Sequence, residues 1–147
     1  MKDNGLLVQY FTANTTDSQD LWKKAAEDAA VLKKMGATAV WFPPATKGAQ
    51  GKEDMGYAPY DLGEFDQKGS VGTRYGTKDE YIAAIKAMKD QGINVYADIA
   101  VRQKLGADRI EKVTAADFNT KDIPQMIGNK KTVGALSKFT FPGRKSN

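Results

Sequence analysis

Ala39-Val40-Trp41-Phe42-Pro43-Pro44 is apolar at four consecutive positions and is then stopped by two prolines. Such a run predicts a strand covered on both faces, as in a parallel sheet; proline cannot donate to a ladder, so the strand ends at Phe42. Upstream, Leu21, Trp22, Ala25, Ala29, Leu32 and Met35 recur at helical spacing, with lysines and acids on the opposite side. Asp17 or Ser18 is placed to cap the start of this helix, and Gly36 to end it with a positive φ. Before the helix, Leu6-Leu7-Val8-Gln9-Tyr10-Phe11 reads as a first strand, followed by a polar loop from Thr12 to Thr16.

Downstream of the prolines, Ala45 to Gly76 holds seven glycines and no helical period. A loop of that length belongs in a compact domain only when it is functional. Thr77-Lys78-Asp79-Glu80 is a capping box, and Tyr81, Ile82, Ile85 and Met88 form the apolar stripe of the helix behind it, which Gly92 closes. Ile93 to Val101 reads as the third strand. Strand, helix, strand, helix, strand predicts an α/β fold with βαβ crossovers. From Lys104 to Asn147 the pattern changes to β-prone pieces, Val113–Phe118 and Thr132–Phe141, with no amphipathic helix and no internal repeat.

The chain has 147 residues, 41% hydrophobic and 27% charged, which suits one folded domain rather than a disordered segment. It contains no cysteine and no histidine, so disulfides, thiolate metal sites, cysteine nucleophiles and histidine triads are excluded. No run approaches the roughly 18 apolar residues of a membrane span. Met1-Lys2-Asp3-Asn4-Gly5 lacks the apolar stretch of a signal peptide, so the expected location is cytoplasmic, without a membrane partner. Charge is uneven: Met1 to Ala100 carries 12 basic and 14 acidic residues, Val101 to Asn147 carries 10 and 4. The lysines are scattered and match no recognition-helix or RNA-binding signature, so a solvated face is expected and not a nucleic-acid surface.

Candidate chemistry must come from carboxylates, hydroxyls, amides and aromatic surfaces. No G-x-G-x-x-G follows the first strand and no G-K-[ST] occurs, which removes a phosphate loop. Asp98 sits near the C-terminal end of the third strand, where α/β proteins place functional groups; a structural, hydrogen-bonded role is the alternative. Glu53 and Asp54 would suit a general acid/base pair, but adjacent loop acids are expected to be solvated. Asp61, Glu64 and Asp66 could hold a hard cation, yet they lack the required spacing and read as an acidic turn. Asn14-Thr15-Thr16 fits a glycosylation acceptor and, without export, reads as polar loop. Tyr57, Tyr60 and Trp41 offer flat faces for stacking on sugars, with strand core as the alternative for Trp41.

Specific strings go further. Val8-Gln9-Tyr10-Phe11, Ala39-Val40-Trp41-Phe42-Pro43-Pro44, Gly56-Tyr57-Ala58-Pro59-Tyr60-Asp61, Leu62-Gly63-Glu64-Phe65-Asp66-Gln67-Lys68-Gly69, Arg74-Tyr75-Gly76-Thr77-Lys78, Asn94-Val95-Tyr96-Ala97-Asp98 and Lys138-Phe139-Thr140-Phe141-Pro142-Gly143-Arg144 occur in one order. Together they resemble bacterial α-amylases of the thirteenth glycoside hydrolase family, of the liquefying and cytoplasmic type, from Leu7 to Lys145. The resemblance implies a partial (β/α)8 TIM barrel: the first three strands and two helices in residues 1–103, then the β-rich beginning of the inserted B domain in 104–147.

In that family the nucleophilic Asp, the acid/base Glu and a second Asp stand on later strands, so no catalytic residue is assigned here. Retaining hydrolysis needs two carboxyl groups about the scissile bond. The resemblance therefore implies a truncated or degenerate α-amylase-like protein, inactive alone, whose partner is a starch-like α-glucan or maltooligosaccharide. The alternative is a non-catalytic carbohydrate-binding or self-associating half-barrel module, and a homo-oligomer is expected because a cut barrel leaves open strand edges. Tyr57 matches the stacking tyrosine, Asp98 the strand-end Asp, and Gln103 stands where the family has a sugar-binding His. Arg102 replaces the Asn that ligates calcium, so neither a metal site nor a cofactor is expected. Thr12-Ala13-Asn14 stands in place of the family's Glu-Trp-Tyr, and the loop ending Tyr60-Asp61-Leu62-Gly63-Glu64-Phe65 is about three residues shorter than the family pattern.

Overall fold

The computed structural model describes residues 4–63, 65, 73–119 and 125–142. Ala107–Phe141 forms one compact unit and the rest of the described chain another.

The larger unit is an α/β structure built on three parallel strands, β1 (Leu7–Gln9), β2 (Ala39–Phe42) and β5 (Asn94–Ala97), in the order β1-β2-β5. Val8, Val40 and Val95 lie side by side in register. The outer strands are shorter than their apolar runs predict, Leu7–Gln9 within Leu6–Phe11 and Asn94–Ala97 within Ile93–Val101. The cause is the central strand. β2 stops at Phe42 before the two prolines, so its neighbours have nothing to pair with beyond it. One further bond extends each side, Tyr10 N–H to the Trp41 carbonyl and Asp98 N–H to the Phe42 carbonyl, both 3.0 Å.

Two helices, α1 (Leu21–Lys34) and α2 (Lys78–Asp90), join these strands and share one core with them. Trp22, Ala25, Ala29 and Leu32 of α1 and Tyr81, Ala84 and Met88 of α2 pack on Val40 and Phe42. Each large side chain buried there contributes about 1.5–3 kcal/mol. Trp22 is the hub, with ring centroids 4.7 Å from Tyr81, 5.1 Å from Phe42 and 5.6 Å from Tyr75. Met35 and Ile82, read from spacing as part of the buried stripes, are exposed instead. Met35 is the cap residue after the last turn of α1, and Ile82 points away from the sheet beside its buried neighbour Tyr81.

The helix ends divide into local and tertiary solutions. Thr77 Oγ1 accepts the Glu80 N–H, and the Glu80 carboxylate accepts the Thr77 N–H at 2.8 Å, the expected capping box. At α1 the N-cap is Asp20, past both Asp17 and Ser18, and its side chain caps nothing. Its carboxylate is occupied by Ser18 Oγ and by Lys24 Nζ, the latter at 2.7 Å. The Trp22 N–H instead donates to the Tyr75 carbonyl at 3.1 Å, so a distant loop closes this helix end. Gly36 takes a φ of 90° after α1, as the sequence requires.

Between β2 and α2, the stretch without helical period holds a small antiparallel pair, β3 (Lys47–Gly48) with β4 (Pro59–Asp61), and a turn of 3-10 helix at Gly51–Glu53. Arg74 braces it by donating to the Thr15 carbonyl at 2.7 Å and to the Glu53 carbonyl at 3.1 Å.

The second unit is one hairpin of β6 (Arg109–Asn119) and β7 (Gln125–Lys138). Ile110 pairs with Leu136 and Val113 with Val133, and the register shifts between Ala115 and Asp117. Pairing carries both strands beyond the β-prone pieces Val113–Phe118 and Thr132–Phe141 at their N-terminal ends, because a partner strand satisfies residues of weak intrinsic preference. Asp108 closes the open end, its carboxylate accepting the Thr140 N–H at 2.7 Å. Among the described residues no helix is long and apolar enough to cross a membrane.

Candidate functional site

The site grows from the loop that leaves Pro44. Gly56 takes a φ of 94°, and a Cβ there would stand 2.6 Å from the Pro44 Cβ, so the chain passes Pro44 as close as only glycine permits. Asp54 is buried inside this loop. Its Oδ1 accepts the N–H groups of Gly56 at 2.7 Å and Ala58 at 3.3 Å, and its Oδ2 those of Ala49 at 3.0 Å and Gln50 at 3.4 Å. A carboxylate in this setting folds a loop by satisfying its amides.

Tyr57 stands between two of those donors. Its hydroxyl donates to Asp98 Oδ2 at 2.7 Å, and Gln103 Nε2 donates to its backbone carbonyl at 2.9 Å. The three residues singled out as sugar contacts, Tyr57, Asp98 and Gln103, are thereby brought into one hydrogen-bonded group just past the C-terminal end of β5. Tyr57 keeps 41% of its surface exposed, so its ring remains open while its hydroxyl is tethered. Desolvation, the hydrogen bond to Asp98 and the Asp98 charge hold the phenol protonated well above the usual tyrosine range. Beside the group lies a mainly apolar hollow of about 160 Å³, walled by Asp98, Ile99, Phe65 and Tyr81. This arrangement can stack an apolar face and accept hydroxyl protons at its edge.

Other candidates fare differently. Tyr60 is fully buried and has no face to offer a ligand. Trp41 lies opposite Gln9 and Tyr96 in register, on the sheet face away from the helices, half-buried and edge-on to Phe11 at 5.5 Å. Glu53 is exposed, but Asp54 is not the solvated loop acid expected of it; closure of the loop buries it under four amides. Asp61 is likewise buried, not part of an exposed acidic turn, and accepts the Gly63 N–H at 2.9 Å; Glu64 and Asp66 lie outside the described residues. Asn14 is an exposed loop residue, and Arg102 is exposed beside Gln103. Sequence reasoning missed Asp54 as the organiser of the loop. The one signal for it was local, a short acid two residues before Gly56 and within reach of Gly48 and Gly51, whose bare backbones can approach a carboxylate.

No protein-family model matches the chain. It is 46% identical over 144 residues to an α-amylase of Geobacillus stearothermophilus, covering 96% of this chain and 26% of that relative. Over nearly its whole length the chain matches bacterial α-amylases of the thirteenth glycoside hydrolase family. A glucan 1,4-alpha-maltohexaosidase of Bacillus sp. (strain 707) is 43% identical, with 96% of this chain and 28% of the relative covered. The cytoplasmic alpha-amylase of Escherichia coli (strain K12) is 40% identical over 96% of this chain and 29% of its own length. The chain thus spans little more than a quarter of these α-amylases. The stretch compared contains the whole Tyr57–Asp98–Gln103 group on its α/β frame.

Proposed function

We propose that this chain forms the substrate-contacting opening part of an α-amylase-type (β/α)8 barrel acting on starch-like α-1,4-glucans. Tyr57 stacks on a sugar ring, and Asp98 and Gln103 meet its hydroxyls. The observation that carries this reading is the tethered but open Tyr57 ring at the C-terminal ends of parallel strands, where barrel enzymes build their sites. The strand order supports a barrel segment. β1, β2 and β5 follow one another without reversal and both helices pack in one core, whereas a doubly wound sheet reverses and uses both faces.

This stretch by itself does not hydrolyse glucan. Hydrolysis needs a second carboxyl group facing the first, whereas Asp54 and Asp61 are buried and bonded to backbone amides. Arg102 weighs against calcium, since it puts a permanent positive charge where the family has a neutral ligand. The test is titration with maltohexaose followed by tryptophan fluorescence, alongside an assay of reducing ends. A saturable change that Tyr57→Ala abolishes, without release of reducing ends, is expected; no saturable change at millimolar sugar refutes sugar contact.

A second reading, a self-associating half-barrel module, is favoured by the sheet face turned away from the helices. Leu7 and Tyr96 are more than half exposed there, and β1 and β5 stand at the two sides of the sheet. Light scattering separates the readings, since this one requires a mass of at least twice the chain.

A further inference from the structure

Two amides decide where Tyr57 sits. The N–H groups of Gly56 and Ala58, immediately before and after it, both donate to Oδ1 of Asp54. The other oxygen holds Ala49 and Gln50 at the far side of the same loop. The carboxylate therefore pins the Tyr57 backbone against the base of the loop, and space is reserved for it: a Cβ on Gly48 would fall 2.4 Å from the Asp54 Cγ. From the outside the loop is held by Gln103 on the Tyr57 carbonyl and by the Tyr75 hydroxyl on the Met55 carbonyl at 3.1 Å. The Ala49 N–H also reaches the Ala58 carbonyl at 2.8 Å across the same loop, but it is the Asp54 carboxylate that meets the amides on both sides of Tyr57.

We propose that Asp54 is the positioning residue of the glucan site: it touches no sugar, and acts by fixing the backbone on either side of Tyr57 so that the hydroxyl meets Asp98 and the ring faces outward. This deepens the reading above and rests on it for the part that concerns sugar. In Asp54→Asn one oxygen becomes an NH2 group, so whichever way the amide turns two of the four backbone N–H groups lose their acceptor and the loop that carries Tyr57 is no longer closed on both sides. The Tyr57 ring then leaves its place without any loss of a sugar contact from residue 54 itself.

The experiment uses the full chain and two readouts. The first is the nuclear magnetic resonance spectrum of the Tyr57 ring, assigned with Tyr57→Phe. Asp54→Asn is expected to shift it as Asp98→Asn does, while the Trp22 indole signal in the core stays native. The second is a double-mutant cycle on maltohexaose affinity. Asp54→Asn alone is expected to weaken binding about tenfold, as loss of one aromatic stacking contact does. Added to Tyr57→Ala it is expected to change affinity by less than about twofold, because the residue it positions is already gone. Unmoved Tyr57 resonances overturn the proposal, and so does an equal loss in the Tyr57→Ala background. If wild type does not bind maltohexaose, the glucan reading fails alone, and the ring resonances still decide the role of Asp54. Should Asp54→Asn not fold, Asp54→Glu keeps the charge on a longer arm; a Tyr57 shift without a Trp22 shift supports the proposal, and its absence overturns it.

Discussion

The Tyr57 hydroxyl and Asp98 Oδ2 lie 2.7 Å apart across 41 residues of sequence, so one bond ties the loop after β2 to the end of β5. The phenol is the donor and the carboxylate the acceptor, which makes the pair directional as well as sensitive to pH.

Asp98→Asn is expected to lower the ionisation range of Tyr57 toward the ordinary one. Burial remains, but the carboxylate that opposes a phenolate is gone. Ultraviolet tyrosinate titration, with Tyr57→Phe identifying the contribution, reads it directly. In the unmodified chain the folded Tyr57 ionises above the unfolded value of about 10, so its contribution to stability is complete below that pH and is withdrawn as pH rises through the folded value. An alkaline unfolding curve identical in wild type and Tyr57→Phe contradicts this.

Trp22→Ala is expected to destabilise the larger unit by about 3–5 kcal/mol, the cost of deleting a fully buried indole. Its ring meets Phe42, Tyr75 and Tyr81, joining β2, α2 and the preceding loop, so collapse around the gap would have to move three elements. Urea denaturation measures it, and a loss under about 1 kcal/mol would show that the aromatic cluster repacks.

Thr77→Ala removes one half of the capping box and is expected to cost about 1 kcal/mol. The loss should be local. Hydrogen exchange at the amides of Glu80 and its neighbours in the first turn of α2 should accelerate, while those of α1 keep their wild-type protection.

Calcium is expected to leave the melting temperature where it was. A ligand that binds the folded chain alone raises stability by mass action, so a clear rise in micromolar calcium, reversed by chelator, would show a site despite Arg102.

Much of the frame was written in local patterns. The Thr77–Glu80 box, the positive φ at Gly36 and the apolar run from Ala39 to Phe42 are settled within a few residues of chain, where spacing alone says which groups meet. Helical spacing placed Trp22, Ala25, Ala29 and Leu32 correctly inside, and failed at Met35 and Ile82, which lie at the edges of their stripes. The family strings named Tyr57 and Asp98 in separate segments, with no local clue that the two would bond.

The sequence by itself determined the order of strands and helices, the helix ends built from neighbouring residues, the absence of thiol and imidazole chemistry, and the family. Those properties depend on composition and on contacts within one or two turns. Only the tertiary structure decided that the Tyr75 carbonyl closes α1, that two prolines after β2 shorten the strands beside it, that Asp54 is buried under four amides, and that Tyr57, Asp98 and Gln103 converge. Each of these depends on which distant backbone group fills an unmet hydrogen bond, and that partner exists only once the chain has closed on itself.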